Sequence, residues 1–194
     1  TNVLLGGGAA LLVYANSVLM GLDGARLAAC YAIAFSFILS LHLLNQYARR
    51  HTIYLTDPGK GRFFRRYGAG LLALGLGAMG VAIATSVLLG WVSLFLILLG
   101  SIGGVLYRMD FGTHVGHLAG IRSPQQLPGS KEMFVGLAWV VTTVVLPVLA
   151  TGMPPQGWGA VAVAGLLAFL LGAQRTLVTD LRDVEGDQLV GRET

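Results

Sequence analysis

The sequence predicts an all-α integral membrane protein, a single domain of six transmembrane helices covering residues 1–194. Three observations predict it. Of the 194 residues, 55% are hydrophobic and only 11% are charged, where a soluble domain carries about 25% charged residues. The apolar residues fall into six long, nearly uncharged runs, and the mean hydropathy is +0.72. The basic residues gather at one set of run ends, the pattern of a polytopic chain.

The runs follow in order. Val3–Leu22 is the first span, and a short turn, Gly21 to Arg26, leads to the second, Leu27–Tyr47. Arg49 to Arg66 reads as a long polar loop before the third span, Tyr67–Leu89. Gly90 and Trp91 make a minimal turn into the fourth, which ends near Tyr107. A second long loop, Arg108 to Ser130, precedes a fifth span opened by Lys131 and Glu132 and ending near Ala150. The turn Thr151 to Gly157 leads to the sixth, Trp158–Thr179. Each run holds about 20 residues, enough to cross ~30 Å of hydrocarbon. Lipid cannot satisfy open backbone groups, so such runs must be helices. No basic segment precedes Val3, so the first run reads as a span and not a signal peptide.

Orientation follows from the Lys and Arg positions. The loop after the second span holds six, Arg49, Arg50, Lys60, Arg62, Arg65 and Arg66, and the loop after the fourth holds three, Arg108, Arg122 and Lys131. Arg175, Arg182 and Arg192 follow at the end of the chain, and only Arg26 lies on the opposite side. Twelve against one places both long loops on the cytoplasmic side. The single cysteine, Cys30, lies in an apolar run and supports neither a disulfide framework nor a cysteine metal site. His114 and His117 have no third ligand nearby and are not read as a metal site. In the third span Ala69, Ala73 and Gly77 are four apart, a spacing that lets helices pack closely.

Polar residues within spans are fewer. His42 and Asn45 share one face near the end of the second span, and Gln174, Arg175 and Thr179 lie in the last turns of the sixth. Such groups face a cavity or a partner helix. For His42 an interhelical hydrogen bond is favoured over a ligand role. Directly after the sixth span comes Asp180-Leu-Arg-Asp183-Val-Glu-Gly-Asp187. On a helix, positions i, i+3 and i+7 fall within an arc of roughly 60°. Three carboxylates on one stripe repel one another, and a magnesium ion, which takes carboxylate and phosphate oxygens together, relieves that repulsion. The plain alternative is a solvated helix end with acids in phase by chance.

The stretch from Arg175 to Thr194, with its Asp183-Val-Glu-Gly-Asp187 core, resembles the second aspartate motif of the UbiA-type intramembrane prenyltransferases. Leu127-Pro-Gly-Ser-Lys-Glu-Met-Phe-Val-Gly-Leu-Ala-Trp139 resembles the entry to that family's fifth helix, Leu106-Tyr107 the end of its fourth, and Asn45 the start of its first motif. The resemblance implies the first two-thirds of a nine-helix bundle, either continued beyond Thr194 or shortened. It implies transfer of a prenyl group from a prenyl diphosphate to an aromatic, tetrapyrrole, haem or lipid acceptor. It further implies Mg2+ on Asp180, Asp183 and Asp187 as the catalytic metal site. Asn45, Arg49, Tyr107, Lys131 and Arg175 are the implied substrate-binding residues. Membrane lipid and a prenyl diphosphate or other isoprenoid are the expected partners, and no nucleic acid is expected.

One departure bears on activity. The family's first motif carries aspartates where this chain reads Asn45-Gln-Tyr-Ala-Arg49-Arg-His-Thr-Ile53. A second magnesium ion would find no carboxylate there, and Asp57 sits in a turn-like Asp-Pro-Gly. Arg49, Lys60, Arg65 and Arg66 are read first as positive-inside residues attracted to anionic lipid, and second as a direct grip on diphosphate. Turnover below the family's usual rate is expected. The alternative is a non-catalytic membrane subunit or isoprenoid-binding scaffold that works with other membrane subunits.

Overall fold

The computed structural model describes residues 2–48, 53, 58–106 and 129–189, with side chains for all of these except 58, 60, 105, 106 and 180–189. Among the described residues the chain is all-helical. The elements are α1 (Asn2–Met20), α2 (Arg26–Ala48), α3 (Pro58–Leu89), α4 (Trp91–Leu106), α5 (Ser130–Thr151) and α6 (Gly157–Leu189). Five of them are long and apolar enough to cross a membrane. The fourth, α4, has 16 described residues, a rise of about 24 Å.

The third element differs from expectation at its start. Pro58 opens α3, nine residues before the expected Tyr67. Proline suits a first helical turn, where its missing N–H has no intrahelical role. Arg62, Arg65 and Arg66 therefore stand on helix rather than in a loop, and all three are exposed.

The helix α2 is the centre of the bundle: 56% of its apolar window is buried, against 22% for α3 and for α6. Cys30, Ile33, Ala34 and Phe37 on α2 meet Ala9 and Val13 of α1, Ala82 of α3, Ile97 of α4 and Leu146 of α5 in one core. Ser40 Oγ donates to the Gly75 carbonyl of α3 at 2.7 Å. A Cβ on Gly75 would lie 3.2–3.3 Å from Leu43 and Leu44, so α2 and α3 approach through Gly75. The expected Ala69–Ala73–Gly77 packing stripe is overturned. All three residues are exposed and lie on the outer side of α3.

Consecutive helices run antiparallel, and short turns fix their ends. Gly90 alone joins α3 to α4 at φ +110°, a backbone region that costs glycine little. At the end holding the short turns, Gln156 N–H reaches the Met20 carbonyl at 3.4 Å, and Arg26 Nη1 reaches the Ala150 carbonyl at 3.4 Å. At the opposite end Asn2 Nδ2 donates to Gln46 Oε1 at 2.9 Å. The end of α2, the start of α5 and the end of α6 therefore share one side.

The middle of α5 widens into a π-helical turn at Val141–Val145. Pro147, two residues on, explains it. Its missing N–H orphans the Thr143 carbonyl, and the Leu146 N–H bonds to Val141 O, five residues back. Asn16 of α1 supplies the replacement: its Nδ2 lies 3.3 Å from Thr143 O and 3.2 Å from Thr143 Oγ1, fully buried. A neighbouring helix thus satisfies the group the proline freed, as a bilayer requires.

Candidate functional site

Helices α5 and α6 cross on glycines. A Cβ on Gly136 would lie 2.6 Å from the Phe169 ring, and one on Gly172 would lie 3.1 Å from Trp139 and 3.2 Å from the Gly136 Cα. Buried Ala164, Ala168, Gly172 and Thr176 recur every four residues along α6 and form the seam. Close packing here brings the start of α5 beside the last apolar turns of α6.

Between these turns and α2 lies a cavity of about 120 Å³. One water needs roughly 10–15 Å³ on the same measure, so a small headgroup has room. Its polar lining is Asn45 and His42 from α2, Lys131 from α5, and Arg175, Thr176 and Thr179 from α6. Its apolar wall is built by Leu5, Ile38, Leu41, Phe134, Val135 and Trp139, with Ala138. Two of these described lining residues, Lys131 and Arg175, are basic, and both residue types hydrogen-bond phosphate oxygens.

The polar groups are held in place. Gln46 Oε1 accepts from Asn2, which turns Gln46 Nε2 toward Asn2 Oδ1 at 3.3 Å and His42 Nε2 at 3.1 Å. His42 Nε2 is then the acceptor, which assigns its ring proton to Nδ1. Among the described residues the bond to His42 stays within α2 and reaches α1 through Gln46, where a direct interhelical bond was expected. Thr176 Oγ1 and Thr179 Oγ1 donate to the Gly172 and Arg175 carbonyls at 3.0 and 2.9 Å, which leaves hydroxyl lone pairs facing other partners.

Depth along the membrane follows from helix rise. About 20 residues, ~30 Å, counted from Trp158 at the short-turn end reach Leu177. In a helix that crosses a bilayer from Trp158, Arg175 would fall just inside the hydrocarbon boundary, and the α6 backbone continues past it through residues 180–189. On that unbroken helix Thr176, Asp180, Asp183 and Asp187 stand at i, i+4, i+7 and i+11. The acidic positions thus share the face that carries cavity-lining Thr176.

Of the residues singled out from sequence, Asn45, Lys131 and Arg175 come together in the cavity. Arg49, Tyr107, Asp57, His114 and His117 lie outside the described residues, as do the Asp180, Asp183 and Asp187 side chains. Among the described side chains no cluster of three metal-ligating residues occurs. Sequence reasoning missed the cavity wall. Its signal was present: Lys131, Phe134, Val135, Ala138 and Trp139 follow i, i+3, i+4, i+7, i+8, one helical face beginning at a cation. No family model, curated protein or solved structure matches this chain.

Proposed function

We propose that the cavity binds the diphosphate head of a prenyl diphosphate and that the chain is a UbiA-like membrane prenyltransferase homologue. The observation that carries this is the meeting of Lys131, Arg175 and Asn45 above an apolar wall, at the end of α6 whose backbone runs on through Asp180, Asp183 and Asp187. An anion with a long apolar tail fits that division. Lys131 and Arg175 neutralise phosphate oxygens, Asn45 adds an amide donor, and Phe134, Trp139, Ile38 and Leu41 hold the first isoprene units away from water. Asp180, Asp183 and Asp187 would hold magnesium, which when bound stabilises charge on the leaving diphosphate. Arg175 precedes Asp180 by five residues, about 7.5 Å along α6 and about 140° round it, so cation and metal would grip different oxygens.

Transfer is slow in this proposal, because residues 45–53 carry no carboxylate for a second ion. Removing one preorganised donor at a developing oxyanion costs about 10²–10³ in rate, and a lost metal costs at least as much. The same gap favours a second reading, a non-catalytic subunit that holds an isoprenoid without transferring it. One experiment separates them. Purified protein is given magnesium, labelled prenyl diphosphates of several lengths, and mixed aromatic and lipid acceptors. Slow product formation that Asp183→Ala abolishes supports the enzyme. Saturable binding without product supports the scaffold. Failure to bind any prenyl diphosphate sinks the proposed diphosphate site.

A further inference from the structure

We propose that the outer face of α3 is a binding site for one anionic phospholipid, with its phosphate at Arg66 and Tyr67 and an acyl chain along Leu74. The site is separate from the cavity and independent of the proposed function. A shallow groove of about 400 Å³ runs down this face, headed by Phe63, Arg66 and Tyr67 and continued by Gly70, Leu71 and Leu74. The Arg66 guanidinium lies 5.4 Å from the Tyr67 ring centre, and the Phe63 ring lies 5.0 Å from Tyr67. The cation–π contact holds the charge at the head of the groove. Exposed Arg62 and Arg65 flank it.

Depth places that head at phosphate level. About 20 residues, ~30 Å, counted back from Leu89 at the short-turn end reach Gly70. Arg66 and Tyr67 are one turn beyond the hydrocarbon, where tyrosines and basic residues meet headgroups. Below them the groove is apolar, and its floor is lowered at Gly70 and again at Gly77, where an added Cβ would touch nothing within 4 Å. Phe63, Tyr67, Gly70, Leu74, Gly77 and Val81 are all exposed and in phase along one side of the helix. Charge complementarity selects the occupant. A second copy packed in parallel on this face would set two arginine triplets against each other. A phospholipid with an anionic phosphate instead matches the cation above and the channel below, and each basic residue near an anionic surface contributes about fivefold in affinity.

The test is native mass spectrometry of the full chain released from membranes of equal phosphatidylglycerol and phosphatidylcholine. The wild type is expected to retain phosphatidylglycerol preferentially. Arg66→Gln lowers that preference about fivefold, and Arg26→Gln, at the opposite end of the bundle, leaves it unchanged. Gly70→Leu, which fills the groove with the arginines intact, lowers retention of both lipids. Equal retention of the two lipids by the wild type, no retained lipid, or equal effects of Arg66→Gln and Arg26→Gln overturns the proposal. So does a dimer that Gly70→Leu dissolves, which would make the face a contact between copies.

Discussion

The crossing of α5 and α6 should determine both stability and the cavity, and a pair of glycine substitutions isolates its contribution. In Gly136→Ala the new Cβ would sit 2.6 and 2.7 Å from two carbons of the Phe169 ring and 3.2 Å from the Phe169 carbonyl. Carbon atoms rest at about 3.5–4.0 Å, so the ring must move by roughly 1 Å. The ring can turn in part, but the carbonyl belongs to the α6 backbone and yields only if the helices part. Overpacking of this kind costs about 1–3 kcal/mol. Alanine also returns about 1 kcal/mol of helix propensity. Gly77→Ala supplies the control, because its Cβ meets nothing within 4 Å and gains propensity alone. The difference between the two variants is then the packing cost, about 1–3 kcal/mol with Gly136→Ala the less stable. The assay is reversible unfolding in mixed micelles titrated with SDS. Phe169→Leu in the Gly136→Ala background should recover part of the loss, because the coupled pair is not additive. Equal stabilities for Gly136→Ala and Gly77→Ala would refute the crossing geometry. Gly136→Ala should also weaken binding at the cavity, since Lys131 and Arg175 lie on the two helices it separates.

Other outcomes follow from the same structure. Arg175→Ala and Lys131→Ala should each weaken binding of a non-hydrolysable prenyl diphosphate analogue by about 1.5–3 kcal/mol, the usual scale for a charged hydrogen bond, while Arg26→Ala leaves it unchanged in equilibrium titration. Asn16→Leu orphans the Thr143 carbonyl and should destabilise the bundle by about 1–3 kcal/mol; added to Pro147→Ala, which restores a backbone donor, it should cost measurably less. Cysteines placed at exposed Gly59 and Gln156 should label from opposite sides of sealed vesicles, and labelling of both from one side contradicts the expected orientation.

The sequence alone determined a good deal here. Long uncharged runs have one backbone solution in lipid, so the helices and their order were legible before any contact was known. The boundary of α3 was not, because Pro58 to Arg66 is polar and hydropathy ends where the hydrocarbon does, while the helix continues in the headgroup layer. The in-phase spacing of Asp180, Asp183 and Asp187 was also a sequence property, since it needs only an unbroken helix. Which faces meet was decided by tertiary structure. Lipid is as apolar as a bundle core, so hydrophobicity does not mark the buried side of a span. The small-residue spacing at Ala69, Ala73 and Gly77 pointed to a seam and proved to be surface. The close approaches occur at Gly75, Gly136 and Gly172, where a neighbouring helix occupies the space a Cβ would need. Those approaches set the rotation of each helix about its axis. That rotation brings Asn45, Lys131 and Arg175, far apart in the chain, to one cavity.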